Sequence, residues 1–600
     1  MSLSTGARRL AQRKVVVKRL VAIEDLGNVD VFFTDKTGTL TEGQITFSSA
    51  LDIAGEESDE VLCEGLVCNE ATLSDGQLVG GNPLDRALWA SPGADRLAPS
   101  TADRLDLLPF DYERRLCSVL VQESGGDRRV IVKGAPEAVL ARSTNVTPET
   151  RAVLGEMFAQ GSRVVAIATR PAGKRMRLTP DDEQDLQVAG FLTFLDPPKA
   201  DAADALARLA GLGVQVKVIT GDNAIVANKV CRDIGLKVLG TMTGSELDTL
   251  DDDQLARRLS DITIFARVTP EQKSRLIKAQ QQLGDDVGFL GDGVNDAVAL
   301  HDADAGISVQ SATDVAKDAA DIVLLDKDLG ILAEGIAQGR RIFANTIKYV
   351  LMGTSSNFGN MFSAAGASLF LSFLPMLPSQ ILLNNLLYDV GEMTIPTDNV
   401  DEEQLRKPAH WDIRMIRQFM IFFGPISSIF DFATFGIMIW IFNAHAPLFR
   451  SGWFVESLAT QSLVIFAIRT RRVPFFRSHA SRPLSVTTLV VVAVGAILPY
   501  SPAAHVLGFR PLPAAFFGFL VGMVIAYLAL IELGKRHFYR VLPEGKPLAR
   551  AHPQRRAYHR ASRWSITHRL PRPRGAQRRH PRPLTGTAAT SIQLQHPESV

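Results

Sequence analysis

The pattern of apolar and polar positions divides the chain into two regimes that meet near residue 340. Before that point short apolar runs recur at 29–34, 214–220, 262–266 and 287–290, and a turn and a helical pattern follow each. Short apolar runs of this kind, interleaved with helices, predict the strands of a parallel sheet. Most run into Asp, Gly or Thr, which predicts a doubly wound sheet with a site at its carboxyl edge. The stretch 45–190 alternates strands and helices differently and carries Pro109-Phe110-Asp111 and Lys133-Gly134-Ala135-Pro136-Glu137. One strand of the first kind precedes it and the others follow. The order therefore predicts an α/β domain over 1–44 and 191–340 with an α+β domain inserted at 45–190.

Beyond residue 340 apolar stretches of spanning length lie near 343–371, 379–397, 418–442, 453–469, 485–506 and 513–534, two of them shorter or more polar than ideal. They predict an all-α, six-helix transmembrane domain over 341–540. The loops sort by charge. Arg340, Arg341 and Lys348 lie at the first entry, Arg406, Lys407, Arg414 and Arg417 after the second span, and Arg469, Arg471, Arg472, Arg477 and Arg482 after the fourth. Lys535, Arg536 and Arg540 follow the sixth, whereas the alternate loops hold only Arg450 and Arg510. Positive residues stay inside, so both ends of this unit and the α/β part are expected in the cytoplasm.

The formal charge of +1 conceals an asymmetry, because 541–600 hold twelve basic residues against two acids. The remainder carries 53 basic against 62 acidic residues, which argues against nucleic acid as a partner. The Arg-, Pro- and His-rich tail over 541–600 lacks apolar periodicity; disorder, a polybasic segment on a membrane surface and a frame-shifted end all remain open. The four cysteines (Cys63, Cys68, Cys117, Cys231) are scattered without zinc-site spacing and read as reduced thiols. Met1 to Leu20 is basic and polar, without a signal-peptide core.

Chemistry concentrates at strand ends. Asp35 closes an apolar run and begins Asp35-Lys36-Thr37-Gly38-Thr39-Leu40-Thr41. A carboxylate placed there can attack phosphorus in line and store the phosphoryl group as an acyl phosphate. Thr220-Gly221-Asp222 offers a hydroxyl and a turn for phosphate oxygens, and Lys273 in Thr269-Pro270-Glu271-Gln272-Lys273 offers a fixed cation. Gly291-Asp292-Gly293-Val294-Asn295-Asp296 offers a carboxylate for Mg²⁺, supported by Asp296, with Asn295 and Lys36 completing the candidate catalytic set.

These strings resemble the haloacid dehalogenase superfamily, and the heptad 35–41 resembles the P-type ATPases within it. Phosphatases of that superfamily place a second Asp two residues after the nucleophile as a general acid/base. Here the position is Thr37, so an acyl phosphate is expected to persist until water is delivered by another part. The resemblance implies a haloacid-dehalogenase-like phosphorylation domain, an inserted nucleotide-binding domain, ATP and Mg²⁺ as cofactors, and Asp35, Thr37 and Asp292 around the catalytic Mg²⁺. It also implies that Phe110 stacks on adenine, that Asp85, Arg115, Lys133 and Gly134 line the pocket, and that Arg163 reaches toward the phosphates. Asp196, in the hinge string Asp196-Pro197-Pro198-Lys199, would order the nucleotide-facing loop.

Polar groups inside a membrane are expensive and default to function. Asn357 and Asn360 stand three apart in the first span, and Asn385 and Asp389 four apart in the second, so each pair shares a helix face. Amides with one carboxylate suit a hard cation bound through oxygens, some from retained water; polar contacts between helices are the other reading. The strings 374–378, 385–390, 395–396, 398–401, 422–431, 451–454 and 469–475 resemble the magnesium-transporting subclass, whose implied activity is Mg²⁺ uptake. A complete pump of this kind also has four earlier helices and an actuator domain with a Thr-Gly-Glu motif. No Thr-Gly-Glu string precedes Asp35. A chain without those parts is expected to bind ATP and phosphorylate Asp35 but not to complete a cycle, unless a separately encoded half supplies them. A membrane-tethered phosphatase and an inactive regulatory subunit are the rival classes.

Overall fold

The computed structural model describes residues 2–541 apart from 75–76, 98–103, 112, 124, 409 and 475. The expected basic tail thus lies outside the described residues beyond 541, and so does Phe475 of the 469–475 string. Apolar runs of the first regime form an eight-stranded sheet. Its middle is Val31–Asp35 (β1), flanked by Gln215–Thr220 (β2) and then Ile264–Ala266 (β3) on one side. Val287–Leu290 (β4) and then Ala305–Val309 (β5) lie on the other. All five are parallel, and the edge strand Val15–Val17 runs antiparallel to Ile322–Leu324. Strand order reverses at β1, and at such a switch point the flanking loops diverge to leave a crevice at the carboxyl ends. Phe32 and Phe33 are fully buried between the helical layers, each contributing about 2–3 kcal/mol from removal of apolar surface.

The inserted sheet has six antiparallel strands in the order Thr46–Asp52, Gln187–Leu195, Arg163–Pro171, Arg128–Gly134, Leu116–Gln122 and Arg104–Asp111. Alternation along Leu116–Gln122 sends Leu116 and Leu120 to one core and Cys117, Val119 and Val121 to the other. The returning strand ends at Leu195, five residues past the expected boundary at 190, because pairing with Thr46–Asp52 continues to that point.

Helix Leu329–Ala367 (α1) joins the sheet domain to the helical region. It packs on Ala22–Asn28 through Gly27 and Gly339, where a Cβ on Gly27 would lie 2.7 Å from the Gly339 carbonyl carbon. Pro378–Glu392 (α2), Ile413–Gly436 (α3), Ala446–Leu463 (α4), Arg482–Ile497 (α5) and Ala514–Val541 (α6) follow. Among the described residues four helices are long and apolar enough to cross a bilayer: 413–441, 446–468, 482–500 and 514–540. The first two predicted spans differ from this. The 39 residues of α1 include the polar run Ser355-Ser356-Asn357, and the 15 residues of α2 reach only about 22 Å.

The loop after α2 returns to the sheet domain. His410 Nδ1 lies 3.1 Å from Asp286 Oδ2, and Nε2 lies 3.7 Å from Asp30 Oδ1, on the residues that lead into β4 and β1. Burial by itself lowers the imidazole, but hydrogen bonds to Asp286 and Asp30 and their charges outweigh it and push its pKa up to about 9. A raised histidine stabilises fully below its unfolded value near 6.5, and the contribution is lost as pH rises through about 9. His410→Ala should therefore flatten the stability profile between these limits and cost on the order of 3 kcal/mol below them. Thermal unfolding against pH measures this; an unchanged slope would remove the ion-paired role.

Candidate functional site

Parallel register brings the carboxyl ends of β1, β2 and β4 level, with Ile219 beside Asp35 and Leu290 beside Thr34. Asp35, Thr220 and Asp292 consequently meet at one edge although the chain separates them widely. Lys36 is buried and its Nζ lies 2.6 Å from Asp222 Oδ2, which clips the loop after β1 to the loop after β2. Thr220 is buried and its Oγ1 accepts the Asp222 amide at 3.1 Å, closing the Thr220–Asp222 turn. Burial alone would raise Asp222, but Arg163, Lys36 and Arg267 hold its carboxyl at about 2. Gly221 is exposed and its carbonyl accepts Arg267 Nη1 at 3.3 Å.

Lys273 sits in the first turn of Pro270–Gln282, a helix capped by Thr269 and fixed by Pro270. Its Nζ donates to Asp296 Oδ1 at 2.8 Å and lies 3.6 Å from Asp35 Oδ2. Burial lowers the ammonium, yet the charges of Asp35 and Asp296 outweigh it and hold its pKa above the ordinary lysine value. Asp296 Oδ2 accepts the amides of Asp292 and Gly293 at 3.3 and 3.1 Å, so this carboxylate shapes the Asp292 loop. Asn295 is exposed at its rim.

The side chain of Asp35 is 25% exposed. Burial pushes its pKa up, Lys273 opposes, and the carboxylates of Asp296, Asp222 and Asp292 push it further up. Such crowding of negative charge calls for a cation. Lys327 Nζ stands 2.5 Å from Asp292 Oδ2 and 3.4 Å from the Thr37 carbonyl, a cation between two oxygen donors of the kind Mg²⁺ takes. Gly38, at φ +68°, makes room, since a Cβ there would lie 2.8 Å from that ammonium. The residues present thus fit Mg²⁺. Lys327 belongs to no motif and was not legible in the sequence.

The inserted domain faces this edge. Glu137 accepts Arg267 Nη2 at 2.9 Å and Asn223 Nδ2 at 3.0 Å, and Arg163 Nε lies 3.6 Å from Asp222 Oδ1, so both contacts bridge the two domains. Phe110 is 40% exposed and its amide donates to Glu70 Oε1 at 2.7 Å. Lys133 and Asp85 are buried and paired at 2.5 Å. Arg115 adopts φ +59°, and a Cβ at Gly134 would collide with its carbonyl oxygen. Asp196 acts on the loop that follows β1. It accepts Thr41 Oγ1 at 2.6 Å and the Gly43 amide at 2.9 Å, tying the hinge to the end of the nucleophile loop.

In the helical region Asn357, Asn385 and Asp389 line a cavity of about 390 Å³ between α1 and α2, together with Tyr349, Thr354, Tyr388 and Glu392. Asn360 is not among its walls. Its Oδ1 accepts Ser457 Oγ at 3.4 Å and Gln461 Nε2, a link from α1 to α4, so the shared face with Asn357 does not extend to a shared site. Asp431, buried, accepts Ser363 Oγ at 2.6 Å and Trp453 Nε1 at 2.7 Å, and Glu456 beside it is fully buried. Asp431, Glu456 and Glu392 are acids within predicted spans, a signal sufficient to single them out.

A doubly wound sheet with Asp35, Thr220, Lys273 and Asp292 gathered at its switch point, an inserted antiparallel domain and membrane-length helices define a class of membrane-attached α/β protein. Residues 29–304 match the family described as haloacid dehalogenase-like hydrolase, and residues 373–537 match that described as cation transporting ATPase, C-terminus. The Magnesium-transporting ATPase, P-type 1 of Salmonella typhimurium is 44% identical over 562 residues, covering 90% of this chain and 61% of that protein. The protein of the same name from Escherichia coli K12 is 44% identical over 563 residues, 90% and 62% respectively. A Calcium-transporting ATPase of Bacillus subtilis is 31% identical over 467 residues, 68% and 52%. By these matches the chain is similar to the P-type ATPases, and it spans about three fifths of the length of the magnesium-transporting relatives.

Proposed function

We propose that this chain is the phosphorylated core of an ATP-driven cation pump, with Mg²⁺ the transported ion and import the direction. Convergence of Asp35, Thr220, Lys273 and Asp292 on one sheet edge supports the reading most strongly. Phe110 would present its ring to adenine, with Arg115, Lys133 and Asp85 forming the pocket and Arg163 directed at the phosphates. An Asp35 carboxylate oxygen attacks the γ-phosphorus in line; the bond to the β-phosphate oxygen breaks and ADP leaves with that electron pair. Thr220 and the Gly221–Asp222 turn hold the transferring oxygens, and Lys273 offsets their charge. Asp35, Asp292 and the Thr37 carbonyl would hold Mg²⁺, which when bound neutralises charge on the phosphates. Asp296 and Lys36 keep these loops in place. Thr37 has no carboxylate with which to activate water, so the acyl phosphate persists. Asn357, Asn385 and Asp389 offer oxygens to the transported cation, and Asn360 fastens α1 beside them.

The purified chain should take up label from γ-labelled ATP and show no turnover of a generic aryl phosphate. Phe110→Ala should raise the ATP concentration for half-maximal labelling about five- to tenfold through lost stacking. Steady aryl phosphate hydrolysis with no ATP labelling would favour a tethered phosphatase instead.

A further inference from the structure

The cavity around Asp389 holds a second carboxylate that the sequence motifs do not single out. Glu392 lies three residues after Asp389 at the end of α2, on the same face, and lines the same wall. Its side chain is nearly closed off at 4% exposure, and Oε1 is buried without a hydrogen-bond partner among the described residues. That oxygen points at α1 across Gly353, where a Cβ would lie 3.7 Å away. No Lys, Arg or His lines this cavity among the described residues. A buried carboxylate facing amides, hydroxyls and another carboxylate, with no basic group near, is costly unless a cation joins it.

We propose that Glu392 is the second charged ligand of the transported cation, which the cavity takes as a divalent ion with much of its water shell; this rests on reading the Asp389 cavity as the transport site. Charge supports it. One carboxylate would leave a divalent cation with net charge +1 in a low-dielectric surround, whereas Asp389 and Glu392 together neutralise it. Size supports the water. A cavity of about 390 Å³ is far larger than a bare cation fills. A small divalent ion that dehydrates reluctantly fits such a chamber through its waters as well as directly. Glu392 ends α2 where the chain turns toward the sheet domain, so it stands on the cytoplasmic side of Asp389, a position suited to a ligand on the way out.

The test is Mn²⁺ binding, read by electron paramagnetic resonance, to the full solubilised chain carrying Asp292→Asn to silence the phosphoryl-transfer site. Glu392→Gln should weaken the remaining site about thirtyfold or more, and Glu392→Asp should recover most of that loss. Asp389→Asn should weaken it comparably. Weakening by Asp389→Asn with none by Glu392→Gln would overturn the role of Glu392 and leave the transport site standing. If neither change weakens binding, or the parent chain shows no such site, both readings fall. Cobalt(III) hexaammine, which cannot shed its ligands, gives a check that needs no variant. It should displace Mn²⁺ from the parent chain, and failure to compete would overturn binding of a hydrated ion.

Discussion

Asp35→Asn should reduce phosphate incorporation from γ-labelled ATP to background, a fall of roughly a thousandfold or more. An amide oxygen at the end of β1 keeps the shape of the carboxylate but is too weak a nucleophile to displace ADP. Loss of folding would not explain the result. Asp35 sits among Asp222, Asp292 and Asp296 under a pKa raised first by burial and then by their charges, so removing its own charge relieves repulsion. Melting of the sheet domain is therefore expected to stay level or move upward while labelling disappears. Labelling that persists in Asp35→Asn would place the acceptor elsewhere and remove the basis for a pump.

The largest stability effect is expected at Asp398, in the loop that follows α2. Its side chain is fully buried and accepts Lys348 Nζ at 2.7 Å, Arg469 Nε at 2.8 Å and the Ser481 amide at 3.1 Å. One carboxylate thus joins α1, the end of the 446–468 helix and the start of α5. The two cations have further partners: Lys348 reaches the Asn399 carbonyl at 2.8 Å, and Arg469 reaches Ser478 Oγ at 3.0 Å and the His479 carbonyl at 2.9 Å. Carbonyls and hydroxyls solvate these cations without neutralising them. Asp398→Ala would leave two buried positive charges against a cavity, at a cost of about 3–5 kcal/mol. Asp398→Asn retains the shape and should cost less. Denaturant unfolding of the solubilised chain measures both, and a loss below about 1 kcal/mol for the alanine variant would show that the network is not stabilising.

The strings proposed for phosphoryl transfer were legible because their information is local. Residues 35–41 are contiguous, and each remaining string sits directly after an apolar run that β-structure buries. Membrane helices were legible from composition in the same way, although the polar run in α1 and the shortness of α2 leave four, not six, that meet length and apolarity together. Pairings across the sheet edge were not legible. Lys327 reaches Asp292 from 35 residues away because parallel register aligns the loops after their strands, and Glu137 meets Arg267 from 130 away because the inserted domain faces that edge. Asn360 fell away from Asn357 because it is the α4 neighbour, and not helical phase, that selects which amide meets the cavity.

By itself the sequence determined the kinds of chemistry available: a carboxylate at a strand end, a threonine two residues after it, and apolar helices interrupted by amides. Tertiary structure alone decided which of those groups face each other, which carboxylates share a cavity and which cations are buried beside them. Side-chain type and short-range periodicity are written residue by residue, whereas charge balance depends on contacts between segments that only packing brings within a few ångströms.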